Sequence, residues 1–107
     1  MRVLIVIPAY NEEEALPGTL AGLRGLPPGY EVLVVNDGSA DRTGEVAERL
    51  AAAAPVPVAV VHLPTNHGIG VAVQTGYRYA ARVGGYDYVV QFDADGQHDP
   101  ADLPALV

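Results

Sequence analysis

At 107 residues the chain suits one domain or part of one, and half of its residues are hydrophobic, enough for a core of Val, Leu, Ile and Ala. Thirteen acidic against six basic residues give a formal charge of −7, which argues against a general nucleic-acid binder with its basic stripe. The absence of cysteine excludes disulfides and thiolate metal sites, and no apolar run approaches the roughly 20 residues of a membrane span.

In chain order, the first element is an apolar run over residues 3–7 that meets Pro8 without the small-residue cleavage site of a signal peptide, so it reads as a strand. A cytoplasmic chain is the default expectation, with attachment to the cytoplasmic face of a membrane through another segment left open. Residues 13–24 carry Leu16, Leu20 and Leu23 at helical spacing, and Pro17 predicts that the helix begins near it. A second apolar strand covers residues 31–35. Residues 41–54 form the next helix, with Asp41 as a good N-cap and Pro55 as the stop. Residues 58–63 make the third strand. Residues 70–83 make the third helix, with Val73, Tyr77, Ala80 and Ala81, ended by Gly84 and Gly85. Residues 88–92 make the fourth strand. Asp99 and Pro100 read as the cap and first position of a further helix, inside which the sequence stops at Val107. The expectation is one truncated unit over residues 1–107.

Strands rich in Val, Leu and Ile with little polar alternation read as buried on both faces of a parallel sheet. Their alternation with helices implies βαβ units with right-handed crossovers. The fold class expected is α/β, a Rossmann-like parallel sheet with flanking helices.

Each strand is followed at once by a polar or glycine-rich turn. The turns hold Pro8 to Glu12, Asn36 to Ser39, Pro64 to Gly70 and Asp93 to Asp99. In an open parallel sheet all four lie along the carboxyl edge, where such sheets bind ligands. Asp93 and Asp95 stand at i and i+2, so on extended backbone their carboxylates point the same way. Hard oxygens in that arrangement suit Mg²⁺ or Mn²⁺, with water and substrate phosphates as the other ligands. Such a cation also reconciles an acidic chain with a phosphate ligand. A lone Asp-x-Asp is as often a solvated acidic turn; its place after a buried strand favours the metal.

Asp37 ends the second strand and is expected to accept hydrogen bonds from a ribose or base; an Asx turn with Gly38 is its ordinary structural role, and the two are compatible. Asn36 is the better pure turn residue. Gly68, Ile69 and Gly70 open the third helix, whose N-terminus attracts phosphate, although a tight turn explains the glycines equally well. The third glycine of the dinucleotide fingerprint and the Gly-Lys-Ser/Thr of a phosphate loop are both missing. Among the histidines, His62 reads as structural, while His67 and His98 are surface residues or ligand contacts. Tyr77, Tyr79, Tyr86 and Tyr88 read as packing residues, whereas Tyr10 stands in a ligand-edge turn and is placed to line a nucleotide base.

Four segments now stand out in order and spacing: residues 3–12 (strand, then Pro-Ala-Tyr-Asn-Glu), 34–43 (Val-Val-Asn-Asp-Gly-Ser-Ala-Asp-Arg-Thr), 66–70 and 92–100. Together they resemble the donor half of family 2 glycosyltransferases. The Asp-Ala-Asp-Gly-Gln-His-Asp-Pro run is similar to the dolichyl- and polyprenyl-phosphate mannosyl- and glucosyltransferases of that family. The resemblance covers nearly the whole chain. It implies the N-terminal half of a GT-A fold, a nucleotide-diphosphate sugar donor (GDP- or UDP-linked) and Mg²⁺ or Mn²⁺. By the family pattern Pro8, Tyr10 and Glu12 line the nucleoside pocket and Asp37 holds base or ribose. Asp93, Ala94 and Asp95 meet ribose and diphosphate, with Asp95 and then Asp93 as metal ligands, and Gln97 lies near the sugar. His67 and Ile69 depart from the pattern, since a basic side chain is frequent in that turn.

The reaction implied is an inverting transfer to a polyprenyl phosphate or other acceptor, with any catalytic base expected beyond Val107. The residues allow alternatives. One is a non-catalytic nucleotide-sugar-binding module. A phosphotransfer receiver domain is disfavoured because the chain has no lysine. A nucleotidyltransferase would need a basic, glycine-rich loop after the first strand, where Pro8 to Glu12 stand. No nucleic-acid partner is expected. Self-association is expected if a sheet edge or core face is left exposed.

Overall fold

The computed structural model describes residues 1–93 with the exception of Arg24. In chain order the elements are β1 (Val3–Ala9), α1 (Leu16–Gly22), β2 (Tyr30–Asp37), α2 (Thr43–Ala53), β3 (Val58–Leu63), α3 (Ile69–Val83) and β4 (Tyr88–Gln91). The four strands form one parallel sheet in the order β3-β2-β1-β4. The chain therefore steps outward from β1 to β3, then crosses back through α3 to the other side of β1. That reversal is the topological switch point where open α/β sheets open a crevice beyond the strand ends.

Both faces of the central strands are buried, as their unbroken apolar character predicts. Side chains alternate between the two faces. Val3, Ile5, Ile7 and Ala9 of β1, with Val32 and Val34 of β2, share one cluster with Leu16, Val46 and Ala47 of the α1 and α2 side. Leu4, Val6, Leu33 and Val35 face the other way, toward Ala72 and Ala80 of α3. Helix α3 sits close to the sheet because Gly76 lacks a side chain: a Cβ there would come 2.5 Å from Val6 Cγ1.

β1 and β2 each run further than the apolar pattern suggested. Pro8 pairs with Val35 and Ala9 with Asn36, in register with the rest of the ladder. Pro8 is tolerated because of where its missing N–H would point. The Val3 N–H goes to Gly29 on the β2 side, while the Val6 carbonyl accepts the Phe92 N–H on the β4 side. By that alternation the nitrogen of residue 8 faces β4, beyond the last β1–β4 pair at Val6 and Gln91. No ladder bond is lost there.

α1 begins at Leu16, next to Pro17 as expected, with the proline in its first turn where no N–H partner is needed. Two other local expectations are revised. α2 begins at Thr43, so Asp41 lies outside it; its carboxylate still accepts the Thr43 N–H at 2.9 Å. Tyr77 and Tyr88 are not packed but about half exposed, whereas Tyr79 and Tyr86 do pack against the α3-side cluster. The helix expected after Asp99 lies outside the described residues. Among the described residues no helix is long and apolar enough to cross a membrane.

Candidate functional site

The turns at the carboxyl edge are tied to one another by polar side chains. Asn11 follows β1 with φ +53, a left-handed conformation that Asn tolerates better than most residues. Its N–H donates to Ser39 Oγ at 3.0 Å, and its Oδ1 accepts the Ala40 N–H at 2.9 Å. The next two amides also reach across: Glu12 N–H donates to Thr43 Oγ1 at 2.8 Å and Glu13 N–H to Asp41 Oδ2 at 3.3 Å. The Thr43 hydroxyl donates in turn to Asp41 Oδ1. Partial burial pushes the Asp41 carboxyl up, but these bonds from Thr43 and Glu13 outweigh it and hold the group below the usual carboxylate range.

The turn after β2 is anchored twice. Asn36 Oδ1 accepts the Ser39 N–H at 3.3 Å, while its amide nitrogen meets His62 Nδ1 at 3.1 Å. His62 Nε2 reaches Glu48 on α2 at 2.8 Å, so His62 is a structural tie between β3, β2 and α2. Asp37 is 3% exposed. Its Oδ1 accepts the His67 N–H at 2.9 Å, and its Oδ2 accepts the Gly68 N–H at 2.9 Å and Asn66 Nδ2 at 3.2 Å. The expected Asx turn with Gly38 is thus replaced by bonds to the turn before α3. His67 itself faces Thr65 Oγ1 at 3.0 Å.

At the switch point these turns enclose a cleft of about 350 Å³, lined by Pro8, Ala9, Tyr10, Glu12, Asp37, Ile69 and Asp93. The volume is in the range of small-molecule sites. Five residues singled out in the sequence, Pro8, Tyr10, Glu12, Asp37 and Asp93, meet here from the ends of three different strands. Ala94, Asp95 and Gln97 lie outside the described residues. Ala9 and Ile69 were not anticipated as lining residues. The signal for Ile69 was an apolar residue in an otherwise polar turn: it is 59% exposed on α3, and Tyr10 is 46% exposed on the turn after β1. The cleft therefore joins apolar surface to carboxylates, with Asp93 Oδ1 accepting Gln91 Nε2 at 3.3 Å. No Lys or Arg is among the described lining residues.

An acidic lining repels a phosphate ligand unless a cation stands between them. Among the described residues no three His, Asp or Glu side chains come together as a metal centre. Asp93 supplies one carboxylate to the lining of the cleft, and the partner expected from the sequence, Asp95, is beyond the described residues. The donor set on the page is hard oxygen, which suits Mg²⁺ or Mn²⁺, but it is incomplete without Asp95.

Comparison with known proteins gives this fold and cleft a family. Residues 4–107 match the family model described as glycosyl transferase family 2. The chain is 49% identical over 107 residues to an undecaprenyl-phosphate mannosyltransferase of Micrococcus luteus, covering 100% of this chain and 43% of that protein. It is 42% identical over 106 residues to a polyprenol monophosphomannose synthase of Mycolicibacterium smegmatis, covering 99% of this chain and 40% of that protein. In structure it is similar to the mannosyltransferase PcManGT from Pyrobaculum calidifontis, solved in complex with GDP-Man and Mn²⁺ (TM-score 0.78, 30% identity, 88% of this chain and 27% of that one). The parallel sheet with flanking helices is that of a GT-A glycosyltransferase fold. The chain belongs to glycosyl transferase family 2. It spans about two fifths of the length of the curated relatives it matches.

Proposed function

We propose that this chain is the donor-binding part of an inverting glycosyltransferase that moves a sugar from a nucleotide diphosphate to a polyprenyl phosphate. The observation that carries the reading is the cleft at the switch point, which gathers Pro8, Tyr10, Glu12, Asp37 and Asp93 from separate turns. The named activities of the relatives, and the GDP-Man and Mn²⁺ bound by the Pyrobaculum protein, support the choice of donor class and acceptor.

In this reading the exposed faces of Tyr10 and Ile69 flank the nucleoside, and the acceptor oxygens of the cleft meet its polar edge. By the family pattern Asp95 and Asp93 would hold a divalent cation, and Ala94 and Gln97 would serve the ribose and the sugar. When bound, the cation supplies neutralisation of the charge that develops on the leaving diphosphate. The chain's own part is to place the donor with its anomeric carbon open to the far face, which favours in-line attack and inversion. A hydroxyl acceptor needs a general base, whereas a polyprenyl phosphate is already anionic.

Calorimetric titration of the chain with GDP- and UDP-sugars, with and without Mn²⁺, tests the site. Metal-dependent binding that Asp95→Ala abolishes is the expected result. Binding that ignores the metal, or an Asp95→Ala variant of unchanged affinity, removes the support for a metal-bridged diphosphate. Transfer of labelled sugar to undecaprenyl phosphate by the protein that contains this chain tests the acceptor.

A further inference from the structure

We infer that His62 is a positioning residue for the donor cleft: its neutral ring holds the wall that carries Tyr10 and Glu12, and protonation of the ring releases that wall. The inference rests on the reading of the cleft as the donor site. His62 stands on β3, is not among the described lining residues, and acts through a line of hydrogen bonds.

The register of β2 and β3 sets His62 beside Asn36. The Ser39 N–H can only donate, and it meets Asn36 Oδ1 at 3.3 Å. That fixes the amide: Asn36 Nδ2 faces His62 Nδ1 at 3.1 Å, so Nδ1 must accept. The ring proton is therefore on Nε2, which donates to Glu48 Oε1 at 2.8 Å. The His62 side chain is 44% exposed, so protons reach it. Protonation leaves the bond to Glu48 in place and adds a second donor at Nδ1, which then faces the donor Nδ2. Turning the Asn36 amide over satisfies His62 but sets Nδ2 against the Ser39 N–H. In either arrangement a donor loses its acceptor, and Asn36 is only 8% exposed. The pair has little room to rearrange, because the first turn of α2 presses on it. A Cβ at Gly44 would come 2.8 Å from Asn36 Nδ2 and 3.3 Å from His62 Nδ1.

Ser39 carries the effect to the cleft. Its Oγ accepts the Asn11 N–H at 3.0 Å, and the next residue, Ala40, donates to Asn11 Oδ1 at 2.9 Å. Asn11 stands between Tyr10 and Glu12, both of which line the cleft. Its φ of +53 persists only while its surroundings hold it there, and the bonds to Ser39 and Ala40 do so. Among the described residues, Glu48 is the carboxylate that reaches His62. Glu45 on α2 pairs with Arg42, and Asp37 on β2 is bonded to residues 66–68. The hold on the wall is complete where His62 is neutral. It is lost as pH falls through the histidine range, about pH 8 to 5.

The test is the affinity of the full chain for GDP and UDP with Mn²⁺, measured at about pH 8 and about pH 5. Carboxylates and nucleotide phosphates also change charge toward acid pH, so the parent is compared with a variant that lacks only the histidine proton. His62→Asn keeps an acceptor where Nδ1 stands and takes no proton. Between the two pH values the parent should lose roughly fivefold more affinity than this variant, the size of one net hydrogen bond. In the ligand-free protein, amide exchange at Ser39 and Asn11 should be faster in the parent than in His62→Asn at the acid pH, and equal at the alkaline one. Asn36→Asp offers acceptors to both His62 and Ser39, so it too should abolish the extra acid loss; where His62→Asn does not fold, it decides by the same comparison. An acid loss in His62→Asn equal to that of the parent overturns the inference. So does an extra acid loss in the parent with exchange at Ser39 and Asn11 unchanged. If the parent binds neither nucleotide while that exchange follows His62, the donor-site reading falls and the link from His62 to the turn stands.

Discussion

The side-chain carbonyl of Asn11 accepts the backbone N–H of Ala40 at 2.9 Å, across 29 residues of chain. This bond fixes the turn that carries Tyr10 and Glu12 to the turn after β2. Asn11→Ala removes it and also leaves a φ of +53 on a residue that disfavours it. A loss of about 1–3 kcal/mol in urea-unfolding stability is expected from the bond and the strain together. Asn11→Gly relieves the strain and keeps only the lost bond, so it should be the milder of the two. A Gly variant as damaging as Ala would show that backbone strain plays no part.

Gly76→Ala tests how closely α3 packs. Helix propensity alone predicts a gain of about 1 kcal/mol. The added methyl would sit 2.5 Å from Val6 Cγ1 in the middle of β1, and overpacking of that kind costs about 1–3 kcal/mol. The net expectation is destabilisation. Val6→Ala in the same chain should recover part of it, giving a non-additive pair in a double-mutant cycle.

Alkaline stability should report Tyr86. Burial, then its hydrogen bond to Glu31, pushes the phenol up to about 12, against an opposing influence of Arg2. The hydroxyl donates to Glu31 Oε1 at 2.8 Å, and the Arg2 guanidinium lies 4.3 Å from the ring centre. The folded state therefore holds this proton more tightly than the unfolded chain does. Its contribution is complete below pH about 10 and is lost as pH rises from there through about 12. Denaturation midpoints across that window should fall with pH, and Tyr86→Phe should flatten the fall.

Acid stability should report Asp41, with the opposite sign. Its folded-state affinity for a proton is lowered, so its contribution is present above the ordinary carboxylate range. It disappears as pH falls through the depressed value. Thr43→Val removes the hydroxyl that donates to Asp41 and accepts from Glu12. Because Thr43 is fully buried, the expected cost at neutral pH is about 1–3 kcal/mol. The acid limb of the stability curve should shift toward higher pH in this variant. An unshifted limb would mean that Asp41 is held by its backbone donors alone.

Much of the architecture was legible because burial leaves a local record. Apolar runs without alternation, as at residues 3–7 and 31–35, announce strands covered on both faces, and the polar turns that follow them mark the ligand edge. Tyr10, Asp37 and Asp93 were picked out on that ground, Pro8 and Glu12 by the family resemblance, and all five share one cleft. Helix starts were less legible. Thr43 rather than Asp41 opens α2, because Asp41 is drawn to the Glu13 N–H on another turn. Tyr77 and Tyr88 were misjudged because periodicity gives a face, not what covers it.

By itself the sequence determined the element types, the parallel sheet and the set of polar residues at its carboxyl edge, since each follows from side chains close together in the chain. Only the tertiary structure decided the strand order β3-β2-β1-β4, which puts the switch point beside β1 and brings Ile69 to the cleft. It also decided that the Asp37 carboxylate accepts hydrogen bonds from the turn at residues 66–68. The physical reason is distance along the chain. The partners of Asn11, Glu12 and Asp37 lie 28–31 residues away, and bonds of that span are set by strand register and crossover, which no local pattern of residues encodes.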